Sequence, residues 1–241
     1  MRVGLVTGEY PPMEGGVGAF TEQLARALSA LNCEPHIITS RRARPDDASR
    51  SVSTLREPVN LGYARLHPRI NRWRWPSIST IVDLIIRYDL DIVNLQYQPA
   101  AFNMNSPAIN YLPWRLRGIA PAVVTFHDLR VPYLFPKANG LRGWVVRTMA
   151  RRSAGCIATN AADLTRLQQW TDKPLRHIPI GSNIDAYDPN HVEIAEVRDH
   201  LHLSRNDILL GYFGFLNASK GADVLIDALS QLDDHVQLVF I

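Results

Sequence analysis

Six short apolar runs, each closing on a small or polar residue, alternate with stretches of helical period, and this alternation leaves few folds open to the chain. The runs are RVGLVT (2–7), PHIIT (35–39), DIVNLQ (91–96), AVVTFH (122–127), GCIAT (155–159) and LRHIP (175–179). Runs this short and this rich in Val and Ile suit strands buried on both faces, which need helical crossovers between them. Two crossovers are legible: Val17, Phe20, Leu24, Leu28 and Leu31 recur at three- and four-residue steps, as do Ile78, Ile81, Val82 and Ile85. The pattern predicts an α/β, doubly wound parallel sheet of Rossmann-like type.

The pattern restarts near residue 206. DILLGYFGF reads as a new buried strand, SKGADVLIDALSQL as an amphipathic helix and HVQLVFI as a further strand. Residues 1–205 are therefore expected to form one domain and 206–241 the start of a second. Two strands and a helix cannot cover both faces of a parallel sheet, so the second domain is expected to be truncated at Ile241.

Charge excludes less than it suggests. Lys and Arg total 26 against 23 Asp and Glu, a net charge of +3, which gives no reason to expect a nucleic-acid partner. The arginines cluster, however, at Arg41, Arg42, Arg44 and again at Arg69, Arg72, Arg74, as suits either a solvated loop or an anionic ligand or lipid surface. In RINRWRWPSIS (69–79) arginine alternates with Trp73 and Trp75, which fits peripheral membrane contact and equally fits tryptophans buried beneath a basic loop. Cys33 and Cys156 lack metal-ligand spacing and read as free thiols of a reducing compartment. With no signal peptide or spanning segment, a cytoplasmic protein is expected, able to sit at the inner face of the membrane.

The chemistry-bearing residues gather at strand ends. Between the first strand and its helix stands TGEYPPMEGGVGAF (7–20), in which Gly15, Gly16 and Gly18 would let backbone amides approach an anion at a helix N-terminus. A plain glycine-rich turn is the competing reading. The dinucleotide fingerprint fits poorly, because Gly8 to Glu14 intervene and Arg41, not an acid, follows the second strand; an NADP reading stays open on that arginine. No Gly-Lys-Ser/Thr follows, which excludes a P-loop. His127 and Asp128 close one run, and Gln96 and Gln98 another, at the edge where open α/β sheets bind ligands; a histidine satisfied by backbone is the alternative for His127. Lys220, beside Gly221 at the start of a helix, opposes the macrodipole unless an anion lies between, so it reads as a diphosphate ligand or as an exposed lysine. Asp89 and Asp91 have the spacing of a divalent-ion motif but precede their strand, and His200 and His202 do not share a helix face, so no metal is expected.

Together VTGEYPPMEGGVGAFTEQLARAL, TFHD, HIPIGSNID and YFGFLNASKGADVLIDAL resemble glycosyltransferase family 4, whose members are retaining, nucleotide-sugar-dependent enzymes of the GT-B fold. The resemblance implies transfer of a sugar to a glycan or lipid-linked acceptor with retention, without a metal. It implies that Gly15 and Gly16 line the cleft where acceptor and donor phosphate meet, that His127 contacts the transferred sugar, and that Lys220 holds the diphosphate; Gln96 and Asp128, from their place at the strand ends, and Gly221, beside Lys220, are expected to bind substrate or donor. Phe215 stands where the family often has an arginine, and the family's pair of glutamates would fall beyond Ile241. The 241 residues alone are therefore expected to be inactive. The alternative is an acceptor-binding module, or an inactive fragment, that needs a separate donor domain.

Overall fold

A single strand feeds two cores. In β1 (Arg2–Thr7) Val3 and Leu5 pack into one apolar cluster and Val6 into another, because successive side chains point to opposite faces of a sheet. The structure, a computed structural model, describes residues 1–44, 57–182, 187–214, 216 and 221–241. The chain divides into two compact units, residues 1–183 and 184–241.

In the first unit eight strands form one sheet. Chain order gives β1, β2 (Glu34–Ser40), β3 (Val59–Asn60), β4 (Arg65–Ile70), β5 (Ile92–Tyr97), β6 (Ala122–Phe126), β7 (Gly155–Ala158) and β8 (Leu175–His177). Their spatial order is β3-β4-β2-β1-β5-β6-β7-β8, and every pairing is parallel except β3 with β4. The six expected strands are all present, within a residue or two at their ends. Missing from the sequence reading were β3 and β4, the second disguised by Pro68. The pairing of β2 with β4 accommodates that proline through a register shift at Thr39/Ser40.

The first helix, α1 (Gly16–Ala30), buries only Val17 of the five residues whose spacing marked it. Its buried residues are Val17, Gly18, Thr21 and Ala25, whereas Leu31 is the C-cap and 74% exposed. Small residues bring α1 close to the chain below it: a Cβ on Gly18 would stand 3.0 Å from Tyr10 Cα. Phe20, Leu24 and Leu28 are only half-buried, over an apolar pocket of about 290 Å³ that Asn94 and Thr125 share. On the opposite face lie α2 (Trp75–Arg87), the short α3 (Leu112–Arg115) and α4 (Gly140–Arg152), and α5 (Ala161–Trp170) follows β7. In α2 the expected Ile78, Ile81, Val82 and Ile85 are all buried.

The second unit holds α6 (His191–His200), β9 (Ile208–Tyr212), α7 (Ala222–Leu229) and β10 (Val236–Phe240), with β9 and β10 parallel. Asn190 and Glu193 form a reciprocal capping box at the start of α6. The sequence reading leaves α6 with the first domain, but it falls within the second unit. There Arg198 donates to the carbonyls of Ser204 (2.6 Å) and Asp207 (2.9 Å), tying the end of α6 to the turn before β9. Among the described residues no helix is long and apolar enough to cross a membrane.

Candidate active site

The sheet order places a switch point between β1 and β5. From β1 the chain winds outward through β2 and β4, then returns to β5 and winds the other way. Connections leave the crevice above such a point open at the carboxyl ends of the strands. Gly8 and Glu9 leave β1 there, Gln96 to Gln98 end β5, and His127 and Asp128 follow β6.

His127 is held by its neighbours on three sides. Its amide donates to Tyr97 O at 3.0 Å, extending the β5–β6 ladder by one residue. Its Nε2 lies 2.9 Å from Gln96 Oε1, and Phe20 of α1 meets the ring edge-on with centroids 4.9 Å apart. Gln96 is fully buried; its amide nitrogen donates to Asn94 Oδ1, and Asn94 Nδ2 donates to Thr125 Oγ1 at 3.0 Å. Because Gln96 Oε1 can only accept, the histidine proton sits on Nε2 and the Nδ1 lone pair is left over. Burial pushes the imidazole pKa down to about 4, so the ring is neutral at physiological pH. Such a ring offers a hydrogen-bonding nitrogen rather than a positive charge. Burial also raises the Asp128 carboxyl, against the pull of the Arg130 amide, which donates to Oδ1 at 3.1 Å.

The glycines of the loop divide into two kinds. A Cβ on Gly8 would lie 2.1 Å from Ala101 O, and one on Gly15 would lie 2.0 Å from Glu9 Oε1, so both glycines serve close packing of the chain on itself. Nothing lies within 4 Å of the Cβ position of Gly16. That position alone among the three faces open space.

Sequence reasoning passed over Glu9, which occupies the start of α1. Its Oε1 accepts from the amides of Val17 (3.1 Å) and Gly18 (3.4 Å), so an internal carboxylate meets the positive end of the helix. The signal was present: α1 has no capping side chain at Gly15 and no acid in its first turn, so its amides needed a partner from outside.

Beside Gly8 and Glu9 opens a cleft of about 860 Å³, whose lining includes Glu14, Arg42, Arg72 and Arg74. Three arginines from the two clusters thus meet at one site, although β2 and β4 carry them there separately. Trp73 contributes to the wall but is 8% exposed and packs edge-on against Phe102, so only Trp75 of the expected pair is accessible.

The remaining expected residues lie elsewhere. Lys220 and Phe215 are outside the described residues. Gly221 belongs to the second unit, where it precedes α7 in the left-handed region at φ 69°. Asp89 and Asp91 sit before β5, at the opposite edge, and are engaged by Arg2: Nη2 to Asp89 Oδ2 at 2.5 Å and the amide to Asp91 Oδ2 at 2.6 Å. Among the described residues no three His, Cys, Asp or Glu side chains converge on a metal-sized site.

Residues 14–186 match the model of Glycosyltransferase Family 4. No curated protein matches the chain. Solved structures of similar fold include HepE of Anabaena in complex with UDP, at 18% identity and a TM-score of 0.62, covering 100% of this chain and 60% of that one. A glycosyltransferase from Rickettsia africae aligns at 14% identity and a TM-score of 0.57, covering 99% of this chain and 68% of its own. An α,α-trehalose 6-phosphate synthase from Burkholderia multivorans aligns at 13% identity and a TM-score of 0.54, with 99% and 62% covered. The chain thus spans about 60% of the length of HepE. At these identities the likeness concerns the fold, the α/β architecture of GT-B glycosyltransferases.

Proposed function

Because the chain belongs to glycosyltransferase family 4, we propose that it moves a sugar from a nucleotide-sugar donor to a glycan or lipid-linked acceptor, with retention of configuration, at the inner face of a membrane. The observation that carries this reading is the neutral His127, fixed by Gln96 at the switch point. A sugar hydroxyl is a hydrogen-bonding group without charge, and a neutral imidazole of fixed orientation is suited to grip it as the anomeric centre becomes cationic. A protonated ring there would oppose that charge.

Each remaining role follows from charge and space. The open position over Gly16 admits a ligand to the start of α1, while Glu9 already saturates the amides of Val17 and Gly18. Charge growing on the departing diphosphate must therefore be met mainly elsewhere, and Lys220 with the amides after Gly221 is the group we assign to it, without a metal. The cleft bearing Arg42, Arg72 and Arg74 is the place for the acceptor. We assign no covalent nucleophile.

The test is proton NMR of the reaction of full-length enzyme with UDP-, GDP- and ADP-sugars. Formation of a glycoside with the donor's anomeric configuration is expected. An inverted product would overturn retention, and failure to consume any nucleotide sugar would overturn the transferase reading.

A further inference from the structure

Helices α3 and α4 each carry one more apolar face than the core uses. In α3 and just after it, Leu112 and Leu116 are fully buried, while Trp114 between them is 41% exposed. In α4 Val146 and Met149 fill the core and Val145 packs with Leu134 and Ala138 at the groove floor, while Leu141 and Trp144 beside it are exposed, Trp144 to 61%. With Trp75, Tyr111 and Phe135 these side chains line a groove of about 500 Å³. The aromatic rings are continuous: Trp75 meets Tyr111 at 5.5 Å between centroids, and Tyr111 meets Trp114 at 4.5 Å. Arg142 pins the far lip by donating from Nη2 to Phe135 O at 2.9 Å and Pro136 O at 3.3 Å. The groove is therefore built, and not an accident of one loose side chain.

Its surroundings are of one sign. Among the described residues no acid lines the groove, whereas Arg152 does. From residue 92 to 162 the chain has eight basic residues and a single acid, Asp128, which belongs to the crevice beside His127. Arg115, Lys137, Arg147 and Arg151 are exposed on or next to the helices that form the groove. Tryptophan at the boundary between apolar and polar surface, ringed by arginines with long apolar stems, is the composition that partitions to a lipid–water interface.

We propose that this aromatic face docks the protein onto an anionic bilayer. The tryptophans enter the headgroup region and the arginines meet lipid phosphates. The groove also adjoins the arginine-lined cleft: Arg74 and Met104 line the cleft, and their neighbours Trp75 and Asn105 line the groove. A docked bilayer thus lies beside the cleft mouth, from which a lipid-linked acceptor can present its headgroup. This deepens the membrane part of the function proposed above, and it can be tested without any sugar transfer.

The experiment is co-sedimentation of the chain with vesicles of phosphatidylcholine containing phosphatidylglycerol, compared with phosphatidylcholine alone. Retention by the anionic vesicles at low salt, weakened by added salt, is expected. Trp114→Ala combined with Trp144→Ala is expected to weaken retention by roughly tenfold or more with an unchanged circular dichroism melt, since both side chains are exposed. Failure of the wild-type chain to be retained overturns the proposal, as does undiminished binding by the folded double variant. A dimer seen by sedimentation velocity that the double variant abolishes would assign the face to a second copy of the chain and would also overturn it. In the full-length enzyme, transfer to a water-soluble acceptor is expected to survive the double substitution, so loss of docking and loss of catalysis remain distinguishable.

Discussion

Nε2 of His127 and Oε1 of Gln96 lie 2.9 Å apart, and the glutamine that makes this contact is fully buried. A buried carboxamide cannot follow a moving ring, so the imidazole plane is set by β5 although the histidine belongs to the end of β6. His127→Ala in the full-length enzyme is expected to lower turnover by roughly a hundredfold without loss of fold, as removal of a contact that strengthens in the transition state does. Steady-state kinetics check this, and unchanged turnover would return His127 to a packing role.

Gln96→Glu tests the positioning separately. A carboxylate in place of the carboxamide oxygen favours the protonated ring, so the His127 pKa is expected to rise from about 4 towards neutrality. An NMR titration of the imidazole protons reads this directly. A pKa that stays put would mean that the two groups do not meet in solution.

Gly15→Ala and Gly16→Val should separate packing from ligand access. The first displaces the Glu9 carboxylate from the amides of Val17 and Gly18 and is expected to cost about 0.5–2 kcal/mol in urea unfolding, the range for losing a helix N-cap. The second sets its β-carbon in open space and should leave stability within about 0.5 kcal/mol while blocking turnover in the full-length enzyme. Active Gly16→Val enzyme would remove the ligand from that loop.

Lys220→Ala is expected to cost about 2.7–4 kcal/mol of transition-state stabilisation, by analogy with deleting one oxyanion donor. The ratio of kcat/KM for wild type and variant measures it. A cost below this range would mean that a second cation shares the diphosphate.

His36 and His67 form a buried pair, Nδ1 to Nε2 at 3.0 Å, against Tyr88. Glu34 reaches His36 Nε2 at 3.3 Å, and Arg65 engages Glu34, while Arg69 opposes charge on His67. Burial lowers both pKa values, that of His67 to about 3. In the unfolded chain these rings take up protons near 6.5, so their contribution to stability is present above that pH and is lost as pH falls towards 3. Urea unfolding between pH 8 and pH 4 should show this decline, and His67→Asn should shallow it. An unchanged slope in the variant would exclude the pair as its source.

How far the sequence could be read depended on whether a residue answered to its neighbours in the chain or to distant ones. The strands β1 and β5 and the stripe of α2 were legible because period alone decides them. Strand β4 was not, since Pro68 argues against a ladder and only the irregular register with β2 accommodates it. His127 and Gln96 were legible as strand ends, but their mutual contact depends on two strands pairing 31 residues apart. Trp73 and Trp75 look alike in sequence; Phe102, far along the chain, packs over one and leaves the other outside.

Gly8, where β1 runs out beneath the turn at Pro99–Ala101, has a last consequence for mutational tolerance. The obstruction is a carbonyl oxygen 2.1 Å from where any β-carbon would stand, so neither polarity nor size can make a replacement acceptable. Unless that turn shifts, all nineteen alternatives fail for the same reason, alanine as surely as tryptophan. A saturation scan scored for folding alone should return a single permitted residue at this position, and a broad set at Gly16.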